Sequence, residues 1–114
     1  MTGSDREPRE RRLAKNEALF RELNERLEED LRGEQDADGF GFVCECADGA
    51  CAEPIWLSLF DYERLRANPL RFVVLPGHEL PAIEEIVEER DGYLFVKKTG
   101  TGGAIAAEKD PRRR

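Results

Sequence analysis

Apolar side chains near the start of the chain recur at gaps of three, four or seven residues, and this spacing predicts a long amphipathic helix over residues 13–33. The apolar stripe of this helix consists of Leu13, Phe20, Leu23, Leu27 and Leu31. Gly33 suits a left-handed carboxyl-terminal cap. Because the stripe is narrow, with Asn16 and Asn24 at or beside it, we expect it to contact a protein partner or a second copy of the chain. Docking of the helix on its own domain is the alternative.

Short apolar segments follow, and they predict a folded domain over residues 39–98. The segment GEQDADG ends the helical pattern with glycine and acidic turn formers. FGFVC and PIWLS have the composition of strands and flank a cysteine segment as the arms of a hairpin would. Ser58 is expected to cap a short helix whose buried side includes Phe60 and Leu65. RFVVL is typical of a buried strand.

Residues 81–90 fit either a helix or a strand. Their apolar positions have helical spacing after Pro81, whereas the following Asp91 and Gly92 favour a tight hairpin turn, so we expect a hairpin.

The two ends of the chain predict less structure. We expect a basic flexible arm over residues 1–12 and a glycine-rich flexible tail over residues 99–114.

Composition and charge limit the classes of partner. The 114 residues carry a formal net charge of -7, which repels phosphate backbones, so nucleic-acid binding is not expected. No apolar stretch approaches the about 20 residues that span a bilayer, and no signal peptide is recognisable, so we expect a cytoplasmic protein without membrane contact. Only 39% of the residues are hydrophobic, which predicts a small core.

All three cysteines lie in one segment, FVCECADGAC. An odd number of cysteines in a reducing compartment argues against a disulfide framework. Cys44 and Cys46 are separated by one residue at the end of a predicted strand, so their side chains project to the same side. The ADGA segment suits a tight reversal that returns Cys51 to the first two sulfurs. The pattern predicts a cup of three thiolates.

A tetrahedral Zn²⁺ site is the chemistry that these residue types favour, because structural zinc takes four thiolate or imidazole ligands. The predicted ligands are Cys44, Cys46, Cys51 and His78, the last because it is the one histidine in the chain. A domain of roughly sixty residues is marginally stable on its core alone, which favours a structural ion. Buried free thiols are one alternative, and an iron–sulfur cluster held by the same residue types is another.

No pattern in the sequence indicates an enzyme. The chain has no second histidine, no H-E-x-x-H, no G-x-S-x-G and no phosphate-binding glycine loop. Glu45 is the one carboxylate fixed close to the predicted ion, but alternation along a strand turns it away from the metal. We expect Glu45 to be a solvated strand residue and the protein to be non-enzymatic.

The segments KNEALFRELNERL, FVCECADGAC, YERLRANPLRFVVLPGH and DGYLFVKK resemble a group of short, uncharacterised actinobacterial proteins with an N-E-x-x-F-R-x-x-N-E-R helix, an F-x-C-E-C cluster and a later P-G-H. The matching positions are Asn16, Glu17, Phe20, Arg21, Asn24, Glu25, Arg26, Phe42, Cys44, Glu45, Cys46, Pro76, Gly77 and His78. The resemblance implies a bacterial cytoplasmic protein in which the helix and the cysteine domain belong together. It carries over no catalytic residue.

These patterns predict an α+β fold, with a long amino-terminal helix followed by a small zinc-stapled antiparallel β-sheet domain that includes one or two short helices. The expected function is a zinc-binding interaction or regulatory module, in which the ion is structural and the helix over 13–31 contacts the partner. A thiol-based redox sensor that releases zinc on oxidation is the alternative.

Overall fold

The computed structural model describes residues 9–31, 39–46, 48, 51 and 53–112, with side chains for all of these except 9–14, 101 and 102. The predicted basic arm over 1–12 therefore lies largely outside the described residues. Its described part, residues 9–12, belongs to the first helix, which begins at Arg9 instead of Leu13. The cap expected at Gly33 is also outside the described residues.

The described residues form three helices and five strands. In chain order these are α1 (Arg9–Leu31), β1 (Phe40–Val43), β2 (Pro54–Leu57), α2 (Leu59–Arg66), β3 (Arg71–Val74), β4 (Glu84–Arg90), β5 (Tyr93–Lys98) and α3 (Gly100–Glu108). A long helix followed by antiparallel strands and short helices confirms the predicted α+β fold. Within the described part of the chain, no helix has the length and apolar character needed to cross a membrane.

The strands form two antiparallel sheets. β1 pairs with β2, with Phe40 opposite Leu57, so the segments that flank the cysteines form the expected hairpin. The second sheet has the order β3, β5, β4. Asp91 and Gly92 connect β4 to β5, and Gly92 has a φ of 90°, which glycine adopts without a steric penalty. The hairpin prediction for this region is confirmed, and the helical alternative for 81–90 is wrong.

The start of α2 has the predicted capping chemistry. Ser58 Oγ accepts a hydrogen bond from the backbone N–H of Asp61 at 3.0 Å, which satisfies an amide that has no partner inside the helix. Tyr62 and Leu65 are fully buried, but Phe60 is 73% exposed, so its expected place in the core is wrong. Helical geometry puts Phe60 on the opposite side of the axis from these two residues.

α1 packs against β1 and α3 through a polar face. The buried residues of this face are Glu17, Ala18, Arg21, Asn24 and Glu28. The predicted apolar stripe lies roughly a quarter turn around the helix axis from this face. Phe20, Leu27 and Leu31 are accordingly half-buried. Leu23 is 45% exposed, and the side chain of Leu13 is outside the described set. The helix docks on its own domain with one side and leaves another side open to solvent.

A buried ion cluster attaches the first half of α1 to the second sheet. The Lys98 ammonium on β5 donates to the carboxylates of Glu17 on α1 and Glu84 on β4. Each of these side chains is only 1% exposed. Since an unpaired charge at such a depth would be costly, the three residues stabilise the docked helix only as a set.

One turn further along α1, Arg21 joins the helix to the carboxyl-terminal segment. Its guanidinium donates to the backbone carbonyls of Pro69 at 2.6 Å and Ala106 at 2.5 Å. The same group lies 4.5 Å from the centre of the Phe72 ring, where it gains a cation–π interaction. Arg21 is therefore a structural residue of the helix interface, and it is completely buried.

The end of the chain differs from the flexible tail that the sequence predicts over 99–114. α3 lies there, with Ile105 and Ala106 buried. A Cβ at Gly103 would stand 3.1 Å from the Lys98 carbonyl oxygen, so the absence of a side chain allows the helix to approach β5 closely. Gly103, one of the glycines that suggested flexibility in the sequence, instead permits close packing.

Ion pairs hold the residues beyond α3 against the first two helices. Arg66 of α2 is buried and donates to Glu25 at 2.7 Å and also to Asp110. Arg112 donates to Glu25 at 2.7 Å and to Glu63 at 2.7 Å. Glu25 of α1 thus accepts bonds from two arginines that belong to different parts of the chain.

The ion cluster predicts a large difference between two neighbouring lysines. Lys98→Ala leaves the Glu17 and Glu84 carboxylates buried without a counter-ion, so we expect a loss of about 3 to 5 kcal/mol in the free energy of unfolding. Lys97→Ala, on the same strand but half-buried, should cost less than about 1 kcal/mol. Urea denaturation of both variants measures the difference. Equal losses would contradict the structural role of the cluster.

Candidate metal centre

Three separate parts of the chain supply the predicted ligands. Cys44 and Cys46 directly follow β1, which ends at Val43, and they retain the alternation of an extended strand. Cys51 returns to them through a turn in which its N–H donates to the Asp48 carbonyl at 3.0 Å. His78 follows β3, where its N–H donates to the Leu75 carbonyl at 2.9 Å. Cys51 lies beside the first two cysteines, as the sequence predicts, and residues 47, 49 and 50 of the ADGA segment lie outside the described residues.

These three parts of the chain bring together one ligand atom from each of the four predicted residues. The three sulfurs and an imidazole nitrogen all lie within 4.8 Å of one another. His78 Nδ1 is 3.7 Å from Cys44 Sγ and 3.6 Å from Cys51 Sγ. A cluster of three thiols and one imidazole at these distances can bind a metal ion.

The cluster lies at the edge of the hydrophobic core. Cys44 and Cys46 are 0% and 2% exposed and pack among the core side chains, whereas Cys51 and His78 are half-buried. The Leu75 N–H donates to Cys44 Sγ at 3.3 Å. A backbone donor to a ligand sulfur stabilises the thiolate and fixes its orientation, as outer contacts of metal sites commonly do.

The two buried thiols of the cluster, those of Cys44 and Cys46, would not ionise readily by themselves. Burial raises the pKa of the Cys44 thiol, and neighbouring Cys46 and Cys51 raise it further because three thiolates repel one another. Burial also raises the pKa of Cys46. A cation at the centre offsets both effects, since a metal ion stabilises the deprotonated sulfurs.

Glu45 lies between two of the cysteine ligands, and its side chain points to the other side of the segment, as strand alternation predicts. The expectation that it is solvated is wrong, because Glu45 is fully buried. Its carboxylate accepts hydrogen bonds from Asn24 Nδ2 at 2.9 Å, from the Tyr62 hydroxyl at 3.3 Å and from the Val73 N–H at 3.0 Å. These groups belong to α1, α2 and β3.

The protonation of these groups is set mainly by their burial. Burial raises the pKa of the Glu45 carboxyl, while the donors from Asn24 and Val73 lower it. Burial raises the pKa of Tyr62 well above its ordinary value, and the nearby Glu45 charge adds to this rise. The Tyr62 hydroxyl therefore stays protonated and can donate to Glu45. A carboxyl that is fully occupied by structural partners is poorly placed to act as a general base.

Asn24 is the residue of this region that sequence analysis missed. Its amide makes two bonds with the backbone of Val43, since Nδ2 donates to the carbonyl and Oδ1 accepts from the N–H, both at 2.7 Å. The available signal was an asparagine at or beside the apolar stripe of the helix. That position alone predicted neither the burial of Asn24 nor the groups that it contacts.

Comparison of the chain with protein-family models, with curated proteins and with solved structures gave no match.

Proposed function

We propose that this chain is a small, non-enzymatic zinc-binding module, in which the ion is structural and α1 presents a surface to a second copy of the chain. The convergence of four ligand atoms within 4.8 Å supports this function most directly. The four atoms come from positions spread over 35 residues of sequence, from Cys44 to His78. Thiolate ligands also suit a reducing compartment, which supports a cytoplasmic location.

Two separations between ligand atoms of the cluster fit Zn²⁺. Zn–S bonds of about 2.3 Å and Zn–N bonds of about 2.0 to 2.1 Å in a tetrahedron separate a sulfur from a nitrogen by about 3.6 Å. The two separations between His78 Nδ1 and a cysteine sulfur are 3.6 and 3.7 Å. A two-iron cluster would hold its ligands in two groups separated by bridging sulfides, so four mutually close atoms favour a single ion.

Two features support a structural role for the ion: the number of its protein ligands, and the fact that these ligands come from separate parts of the fold. Four protein ligands complete a tetrahedron and leave no position for a reacting water. The ion would connect the β1–β2 hairpin to the turn after β3, two parts of the chain that lie in different sheets. In a domain with a small core, such a cross-link contributes folding free energy.

The exposed side of α1 supports self-association. Leu19 and Leu23 are 56% and 45% exposed. The chain carries five basic and three acidic groups over residues 1–15, but three basic and nine acidic groups over 16–38. Two copies that lie antiparallel would therefore place the basic end of one helix beside the acidic end of the other.

A redox sensor is the second candidate function, and the partial exposure of the cluster favours it. Cys51 and His78 are half-buried, so an oxidant can reach one edge of the site. Oxidation of two thiolates to a disulfide by peroxide would release the ion, with the peroxide reduced to water.

The zinc proposal predicts that protein purified without chelator contains about one zinc per chain by elemental analysis. Cys44→Ser, Cys46→Ser and Cys51→Ser should each abolish zinc retention. His78→Ala should weaken it less, because a water can replace the imidazole while three sulfurs still hold the ion. A His78→Ala variant with unchanged affinity would remove His78 from the site.

Zinc should also stabilise the fold by mass action. Free zinc at about 1,000 times its Kd adds about 4 kcal/mol, which corresponds to roughly 15 °C in melting temperature for a domain of this size. Thermal melts with and without chelator measure this shift. A melting temperature that does not respond to chelator would support buried free thiols instead.

The self-association proposal predicts a mass change on altering the exposed face of α1. The double variant Leu19→Glu and Leu23→Glu should convert a dimer to a monomer in light scattering while the zinc content stays the same. Ile86→Glu is the matched control, since Ile86 on β4 is 43% exposed and lies outside α1. A wild-type protein that is already monomeric would refute self-association.

Peroxide treatment separates the two candidate functions. If the zinc is structural, mild peroxide should release little metal from the folded protein. Stoichiometric zinc release with formation of a Cys–Cys bond, reversed by reductant and added zinc, would favour the redox sensor. A chromogenic zinc indicator and a count of free thiols provide the two measurements.

A further inference from the structure

We propose that metal binding controls the docking of α1, so that the ion-loaded protein holds the second half of this helix on the domain and the metal-free protein releases it. Asn24 and Glu45 form the connection between the ion and the helix. This inference rests on the proposed function, because it takes the three cysteines and His78 as the metal site.

The connection starts in the segment that carries two of the ligands. Cys44 and Cys46 face the cluster, and Glu45 between them faces α1, α2 and β3. Asn24 on α1 bonds both backbone groups of Val43 and the carboxylate of Glu45. Three hydrogen bonds from one helical side chain therefore depend on the conformation of the ligand segment.

β3 holds the same segment from its other edge. The Glu45 N–H donates to the Val73 carbonyl at 2.8 Å, and the Val73 N–H donates back to the Glu45 carboxylate at 3.0 Å. Neither bond involves Cys51 or His78, which reach the cluster from turns outside regular strands. The ion is what joins those two turns to Cys44 and Cys46, so its loss removes a constraint on the segment that Asn24 contacts.

The character of the helix interface makes it sensitive to this constraint. Over residues 24–31 of α1, Asn24 and Glu28 are buried, and Glu25 pairs with Arg66 and Arg112. Leu27 is the one side chain described there that packs against the core cluster. Polar groups regain hydrogen bonds with water when a helix undocks, whereas apolar groups do not. Docking of this half therefore depends on hydrogen-bond geometry, and a small shift at Val43 or Glu45 weakens it.

The first half of α1 is held differently. Its Glu17 pairs with Lys98 on β5, in a cluster that contains no metal ligand and no residue of the ligand segment. We therefore expect loss of zinc to release residues 24–31 while the attachments at Glu17 and Arg21 persist. Because coupling between two sites is reciprocal, weakening the docking of the helix must also weaken zinc binding by the same factor.

Hydrogen–deuterium exchange of the full chain, zinc-loaded and chelated, tests the inference directly. We expect chelation to raise amide exchange over residues 24–31 by about tenfold or more, while the amides of β3 and β5 keep their protection. Stoichiometric zinc binding with unchanged exchange in α1 would overturn this inference and leave the proposed function intact. Uniform loss of protection in all elements would overturn it too, and a protein that binds no zinc would overturn both.

A pair of variants tests the reciprocal effect without touching a ligand. Asn24→Ala should lower the affinity for Zn²⁺ by roughly 5- to 150-fold in competition with a chelator of known affinity. Glu29→Ala, an exposed position of the same helix, should change the affinity less than twofold and controls for the substitution itself. Equal affinities in the two variants would overturn the coupling. Should Asn24→Ala fail to fold, the exchange measurement on the unaltered chain still decides the matter.

Discussion

The rest of this structure depends on the hydrogen bonds that the buried carboxyl group of Glu45 accepts. It accepts hydrogen bonds from three elements that are distant in sequence, and the residues on either side of it are two of the candidate metal ligands. A polar group at this depth is tolerated only when its hydrogen-bonding atoms are satisfied, so α1, α2 and β3 must all be in place around it. The same carboxylate then fixes the direction in which Cys44 and Cys46 point.

This arrangement explains how a chain with a small hydrophobic core orders a long polar helix. Glu17, Arg21 and Asn24 are buried on α1, and each meets a specific partner on a different element. Such contacts contribute little net stability compared with apolar packing, but they allow only one position of the helix. The interface is specific and depends on its geometry, which is the property that a metal-responsive contact requires.

The two sides of the ligand segment thus have different chemistry. One side contributes two sulfurs to the cluster of three thiols and one imidazole, and the other side offers a carboxylate to a helix. Because a strand alternates its side chains, adjacent residues can serve both purposes without contact between them. A short extended segment can in this way connect the binding of an ion on one of its sides to the position of a helix on its other side.

Local chemistry was readable from the sequence alone: the Ser58 cap, the hairpin at Asp91 and Gly92, and the C-x-C spacing each depend on residues within a few positions of one another. His78 could be grouped with the cysteines because the chain offers no other imidazole, and its ring does lie beside their sulfurs. The buried face of α1 and the burial of Glu45 were decided by the tertiary structure. Polar residues become buried only when partners from remote segments satisfy them, and helical or strand periodicity carries no information about those partners.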